Sequence, residues 1–268
     1  MTMGKCHICG EHKKMSFEHV PPEKAFNNHK QLMYYGEQFF GREEFPWDFS
    51  KRQGRQSQRG IGFYTLCDQC NNNTGSWYGS AFVDFIFKGY ISIKNQKLIN
   101  RQIIEIELPE IRPLRILKQI LCMFMSINVP EMADVEPYFR RLALCRENRG
   151  ISESHYGLYL YILSGSIRRY LGVTGVLTVP DSTRVVSELS APPFGLVLEM
   201  NPTRNHGIAN IINWGNDFEY NEIRTLNLSV PVLESNSHFP LDYRSKDDVI
   251  RDYVRNKLRE VAQKTPKT

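Results

Sequence analysis

The chain has 268 residues, 41% of them apolar and 24% charged, with a formal net charge of +5. These values fit one large or two ordinary globular domains and exclude a disordered chain. No run of about 18 apolar residues occurs, so no membrane-spanning helix is expected. The start Met1-Thr2-Met3-Gly4-Lys5-Cys6 leaves no room for a secretory signal, and a cytoplasmic, reducing setting is expected. The positive balance permits a polyanionic partner without demanding one.

In chain order, the first element is the knuckle Cys6-His7-Ile8-Cys9, matched far downstream by Cys67-Asp68-Gln69-Cys70. A Cys-x-x-Cys turn aims two sulfurs at one point about 2.3 Å from each, and two such turns complete a tetrahedral structural zinc site. A disulfide framework suits a short secreted chain, and a redox pair needs a strand–helix setting that the first knuckle lacks. Zinc on Cys6, Cys9, Cys67 and Cys70 is therefore expected, with His7 a spare donor. Cys122 and Cys145 stand alone in apolar surroundings.

Between the knuckles lies Phe17-Glu18-His19-Val20-Pro21-Pro22. Neighbouring strand residues point to opposite faces, so Glu18 and His19 reach one site only from a bent strand. The prolines end any regular ladder just beyond. The Glu18 carboxylate suits Mg²⁺ or Mn²⁺, and a neutral His19 imidazole suits a general base on water. Residues 25–64 form an aromatic-rich insert that ends in a basic run. Lys51, Arg52, Arg55 and Arg59 stand there with no acidic neighbour, which points to phosphate contact or to a solvated loop. Residues 61–66 read as a strand returning to the second knuckle.

Asn71-Asn72-Asn73-Thr74-Gly75 follows that knuckle at once. The order Cys-x-x-Cys, acid–His with a nearby Pro, then Cys-x-x-Cys-Asn with a Gly four residues on resembles the zinc-containing branch of the HNH, or ββα-metal, endonucleases. The resemblance covers roughly the first 80 residues. It implies a ββα-metal fold, with Glu18 and Asn71 as ligands of a catalytic Mg²⁺ or Mn²⁺ and His19 as general base. Asn73 is the rival ligand, and Glu18 stands where the family usually has Asp. The activity implied is hydrolysis of DNA, to 5′-phosphate and 3′-hydroxyl ends, in phage defence or restriction. An RNase with the same site and a non-catalytic zinc module binding nucleic acid or protein are the alternatives.

Past Cys70, Trp77, Tyr78, Phe82 and Phe85 or Ile86 repeat at helical spacing, and their face is expected to pack on the Glu18–His19 strand. A domain boundary is expected between residues 88 and 100, dividing a nuclease-like region (1–90) from a β-rich α+β domain (91–268). The second region alternates as a strand over 101–108. Pro113 then opens a helix over 114–127 that is apolar nearly all round and so buried. Asp134 is expected to cap a helix stopped by Gly150. Strands are expected at 156–163, 170–179, 194–200, 208–214 and 225–233. Ser245 and Asp248 form a capping box for a last helix with the stripe Ile250, Val254, Leu258 and Val261. This half carries no recognised motif, and recognition, homo-oligomerisation or regulation are the roles open to it.

Overall fold

The computed structural model describes residues 2–39, 45–50, 53–135, 137–178, 182–202 and 208–264. The N-terminal part holds strands β1 (Met3–Lys5), β2 (His12–His19), β3 (Gln31–Met33), β4 (Arg55–Ser57) and β5 (Gly62–Cys67). Strands β1, β2 and β5 form one antiparallel sheet in the order β1-β2-β5, and β3 pairs with β4 as a separate ribbon within the insert.

Helix α1 (Asp68–Thr74) follows β5 without a break, a π-helical turn spans Gly75–Gly79, and α2 (Ser80–Ile93) continues the rod. The turn begins where the Thr74 hydroxyl donates back to the Cys70 carbonyl (2.9 Å), a bond that loosens the regular ladder. The helix thus starts at Asp68, ahead of Cys70 and not beyond it. Its aromatic face also packs elsewhere than expected. Phe85 stacks on Phe194 (4.8 Å) and meets Trp214, and Tyr78 donates to the carbonyls of Leu142 and Ala143. Helix α1, at the front of the rod, packs against β2 and β5.

Then come β6 (Ile103–Ile111), α3 (Pro113–Ile127), α4 (Met132–Val135), α5 (Pro137–Leu144), β7 (Tyr156–Ser164), β8 (Tyr170–Thr178), β9 (Ser182–Ala191), β10 (Phe194–Met200), β11 (Ala209–Asn210), α6 (Trp214–Asp217), β12 (Arg224–Glu234) and α7 (Lys246–Lys264). The large sheet runs β6-β12-β7-β10-β9-β8, with β11 added on β7. Every pairing in it is antiparallel except β12 with β7. The chain is thus α+β. Strands β7 and β10 are buried along both faces, which is why they read as unbroken apolar runs.

Helix α3 is buried on every side, as its composition requires. The Lys118 ammonium inside it donates to the carbonyls of Cys145 (2.6 Å) and Arg146 (2.8 Å), just beyond α5. The C-terminal turn of α3 reaches the small sheet. Ser126 Oγ lies 2.6 Å from Thr65 Oγ1, and His7 Nδ1, on the first knuckle, lies 3.0 Å from the Met125 carbonyl. One buried apolar cluster runs from Ile8 and Leu66 through Phe82, Leu117 and Phe124 to Leu160 and Val232, and residue 90 falls inside α2.

Two further expectations are corrected, and one strand, β9, was not expected. Asp134 caps no helix; its carboxylate binds Lys5 (2.7 Å) and Arg140, and the segment divides into α4 and α5. The strand expected at 208–214 is only two residues long, because Trp214 opens α6. Strand β9 carries no strand-like alternation in sequence. The Ser245–Asp248 box forms as written: Asp248 Oδ2 accepts from the Ser245 amide and Ser245 Oγ accepts from the Asp248 amide, each at 3.1 Å.

Candidate metal centre and active site

Cys6 and Cys9 sit in the turn between β1 and β2, while Cys67 ends β5 and Cys70 lies in the first turn of α1. The pairing of Met15 with Cys67 brings the two knuckles together, and all four sulfurs lie within 4.8 Å of one another. A zinc tetrahedron with bonds of about 2.3 Å has sulfur–sulfur edges of about 3.8 Å. The cluster therefore needs only a small contraction to close on an ion. A hydrogen bond from Cys70, then the Cys67 amide (N···Sγ 3.4 Å), lowers the Cys6 thiol below its ordinary range. Cys6, Cys67 and Cys70 are buried, and the remaining described cysteines, Cys122 and Cys145, stand apart from the cluster. Four thiols, three of them buried, with no other His, Cys or carboxylate in the cluster among the described residues, could hold a metal ion such as zinc.

Strands β2 and β5, with the insert between them in the chain, and helix α1 form a ββα arrangement around that centre. A bulge interrupts the β2–β5 ladder between Ser16 and Glu18, after which Glu18 pairs with Phe63 and His19 with Gly62. The irregularity precedes Glu18, so Glu18 and His19 keep the ordinary alternation and take opposite faces. Glu18 turns inward toward Ser126 on α3 and is 5% exposed. Burial pushes its carboxyl up to about 8, and its Oε2 is buried with no hydrogen-bond partner. His19 lies on the outer side, edge-on to Phe17 (5.0 Å), whose ring meets Tyr64 across the strands (5.3 Å).

The His19 ring is held from the insert. Its Nε2 lies 2.9 Å from the Arg59 carbonyl oxygen. A carbonyl only accepts, so Nε2 carries the proton and Nδ1 is left with its lone pair. Asn71 reaches back from α1 to β2, where its Nδ2 donates to Ser16 Oγ (3.0 Å) and to the Phe17 carbonyl (3.1 Å). Asn73 makes no such bridge; its carbonyl accepts from the Ser76 hydroxyl. Asn71 thus stands against the residue preceding Glu18. No hydrogen bond links Glu18, His19 and Asn71 to one another among the described residues.

The donor set of Glu18 and Asn71, a carboxylate and an amide oxygen, is the hard-oxygen chemistry of Mg²⁺ or Mn²⁺. Glu18 Oε2 is buried without a hydrogen-bond partner, and burial favours its neutral form. Arg55 and Arg59 are exposed on the insert beside the hairpin, and Lys51 and Arg52 lie outside the described residues.

Sequence reasoning missed Asn27. It is 1% exposed and clamps the insert to the hairpin. Its Nδ2 donates to the carbonyls of Pro21 (2.6 Å) and Ile61 (2.8 Å), and its Oδ1 accepts from the Ile61 amide (2.7 Å) and from Gln31 (3.0 Å). The adjacent Gly60 has φ +86°, and a Cβ there would lie 1.9 Å from the Asn27 carbonyl oxygen. An Asn that follows a proline-led turn carries no distinguishing signal in one sequence. No protein-family profile matches this chain, and neither does any curated protein or solved structure.

Proposed function

We propose that the chain is a metal-dependent endonuclease of HNH type that hydrolyses DNA phosphodiesters. One observation carries this reading: the His19 Nε2 bonds the Arg59 carbonyl, which leaves Nδ1 as the acceptor, on a ββα unit gathered around four thiols. His19 Nδ1 takes a proton from water. The water oxygen forms a bond to phosphorus, and the bond from phosphorus to the 3′ oxygen breaks. Glu18 and Asn71 would hold the Mg²⁺ or Mn²⁺, whose charge offsets that building on the phosphate. The zinc site, filled by four thiolates, holds the unit together and takes no part in the chemistry. Phosphate, not sugar, is the group acted on, so RNA is the alternative substrate; DNA is preferred through the family resemblance alone, as is a role in defence or restriction.

The inward turn of Glu18 favours a second reading, a zinc module that binds nucleic acid without cutting it. One assay separates the two. Plasmid DNA and a structured RNA are incubated with wild type and with His19→Ala, in Mg²⁺, in Mn²⁺ and in EDTA. The nuclease reading expects metal-dependent cleavage that falls by roughly 10²–10⁴-fold in His19→Ala with zinc content and binding retained. Equal cleavage by the two proteins leaves the binding module as the better account.

A further inference from the structure

The large sheet ends on two strands, β6 and β8. An edge strand turns a row of unpaired N–H and C=O groups outward, and a chain that stays alone guards or covers them. The β6 edge is treated that way. It carries Glu105, Glu107, Pro109 and Glu110, and α2 packs against it, where Ser92 Oγ accepts from the Glu107 amide (3.2 Å). Strand β8 is different. Its sequence Tyr170-Leu171-Gly172-Val173-Thr174-Gly175-Val176-Leu177-Thr178 holds no charge and no proline. Cover on it stops part-way, where the Val173 amide donates to Asn128 Oδ1 at the end of α3 (2.5 Å). Among the described residues no strand pairs with its free side. Thr174, Gly175 and Leu177 are exposed, and Leu177, at 80%, is the most exposed large apolar side chain among the described residues.

The hydrogen bonding fixes which residues look outward. The Ser190 amide of β9 donates to the Arg169 carbonyl just ahead of β8 (2.8 Å). Backbone direction alternates along a strand, and β9 runs without a bulge against β10. Val186 and Arg184 therefore also turn their backbone groups to β8, toward their ladder partners Thr174 and Val176. Gly175 and Leu177 are left with their N–H and C=O groups toward the open edge. Side chains alternate as well. Val176 packs on the cluster that holds Tyr159 and Val186, on one face of the sheet, and Gly175 and Leu177 share the other face.

A second β8, run antiparallel about a two-fold axis through Val176, uses both features at once. Val176 then faces its own copy, and Gly175 forms a hydrogen-bonded pair with Leu177 of the second copy. A Cβ at Gly175 would meet nothing within 4 Å, so the space beside it is open to that leucine. The two Leu177 side chains become diagonal neighbours about 7–8 Å apart, within reach of each other. Because the same patch serves on both protomers, the contact closes as a dimer and does not propagate. The leucine–glycine match favours a second copy over an unrelated strand, which would take the backbone groups and leave the match unused. We propose that β8 is a self-pairing edge, through which two copies of this chain join their large sheets into one. The proposal is independent of the chemistry assigned to His19.

The test is sedimentation velocity of the full chain from about 1 to 200 µM, a span suited to so short an interface. Wild type is expected to pass from monomer to dimer across it. Leu177→Lys sets two ammonium groups diagonally across the axis, and Gly175→Val fills the space the leucine needs. Both positions are exposed, so both variants should keep the wild-type melting temperature. Each should raise the dissociation constant by about tenfold or more. Val176→Cys reads the register. At the axis it forms a non-hydrogen-bonded pair with Cα atoms about 4.5 Å apart, within disulfide range. Mild oxidation should cross-link it as a dimer, judged against wild type, with its exposed Cys145, under the same treatment. A wild type that stays monomeric at about 200 µM overturns the proposal. A dimer unaffected by both Leu177→Lys and Gly175→Val also overturns it, because such a dimer forms through another surface. Cross-linking of Val176→Cys no greater than that of wild type overturns the pairing about Val176.

Discussion

Asn27→Ala removes the clamp between the insert and the hairpin. Three of the four hydrogen bonds of Asn27 go to backbone groups of Pro21 and Ile61, in a position 1% exposed. At about 0.5–1.5 kcal/mol each, their loss costs about 2–4 kcal/mol, mostly because the Ile61 amide and Pro21 carbonyl lose a partner that water cannot readily replace. Asn27→Asp should be no better, since an acceptor would face two carbonyls where Nδ2 donated. Urea denaturation with linear extrapolation measures this, with the m-value unchanged if only stability has moved. The functional consequence is separate. Residues 59–61 carry the carbonyl that orients His19, so loosening them frees the ring while leaving its chemistry in place. Single-turnover cleavage, measured in conditions where the variant is folded, should fall by tenfold or more, about 1.4 kcal/mol of transition-state stabilisation. A stability loss under about 0.5 kcal/mol together with a wild-type rate would refute the reasoning, because the segment would then be held by something other than Asn27.

Cys67→Ser should release the zinc, since three thiolates no longer close the tetrahedron, and should destabilise the sheet around β2 and β5; metal analysis and thermal melting read both, and carefully purified wild type without one zinc per chain refutes the site. Neutralising Arg52, Arg55 and Arg59 together should weaken DNA binding at every sequence and flatten the log–log salt dependence by roughly one unit per lost contact; an unaltered slope returns the run to solvated surface. Gly60→Ala should destabilise the fold by at least about 1–3 kcal/mol, because a side chain at φ +86° meets the Asn27 carbonyl. Combined with Asn27→Ala it should cost less than the sum of the two, as both break the same clamp; strict additivity in denaturation would separate them.

Much of the architecture was legible in the sequence wherever a local pattern carries the whole physical cause. The two Cys-x-x-Cys knuckles place four sulfurs by turn geometry, and the sulfurs meet as their spacing implies. Helix α3 is apolar all round and is buried all round. Ser245 and Asp248 cap α7 because both partners of the box lie within one helical turn. The unbroken apolar runs of β7 and β10 announce strands covered on both faces. Strand β9 was hidden for the opposite reason. Ser187, Glu188 and Ser190 are buried in it, and polar residues enter a core only when partners wait there. Those partners, Asn128, Arg169, Tyr161 and Tyr243, come from other elements, and no local pattern in β9 names them.

The candidate site divides along the same line. The sequence by itself determined which candidate groups are present and in what order: thiols, a carboxylate, an imidazole and an amide. The tertiary structure decided which way each one faces. Placement of the bulge before Glu18 turned the carboxylate inward to Ser126 and left His19 outside. The proton on His19 was set by a carbonyl 40 residues away, and Asn71 rather than Asn73 was brought to β2, across 55 residues to Ser16. A side chain's type is a property of its own atoms, but its direction, burial and tautomer belong to the groups packed against it. Those groups arrive only when segments remote in the chain have folded together.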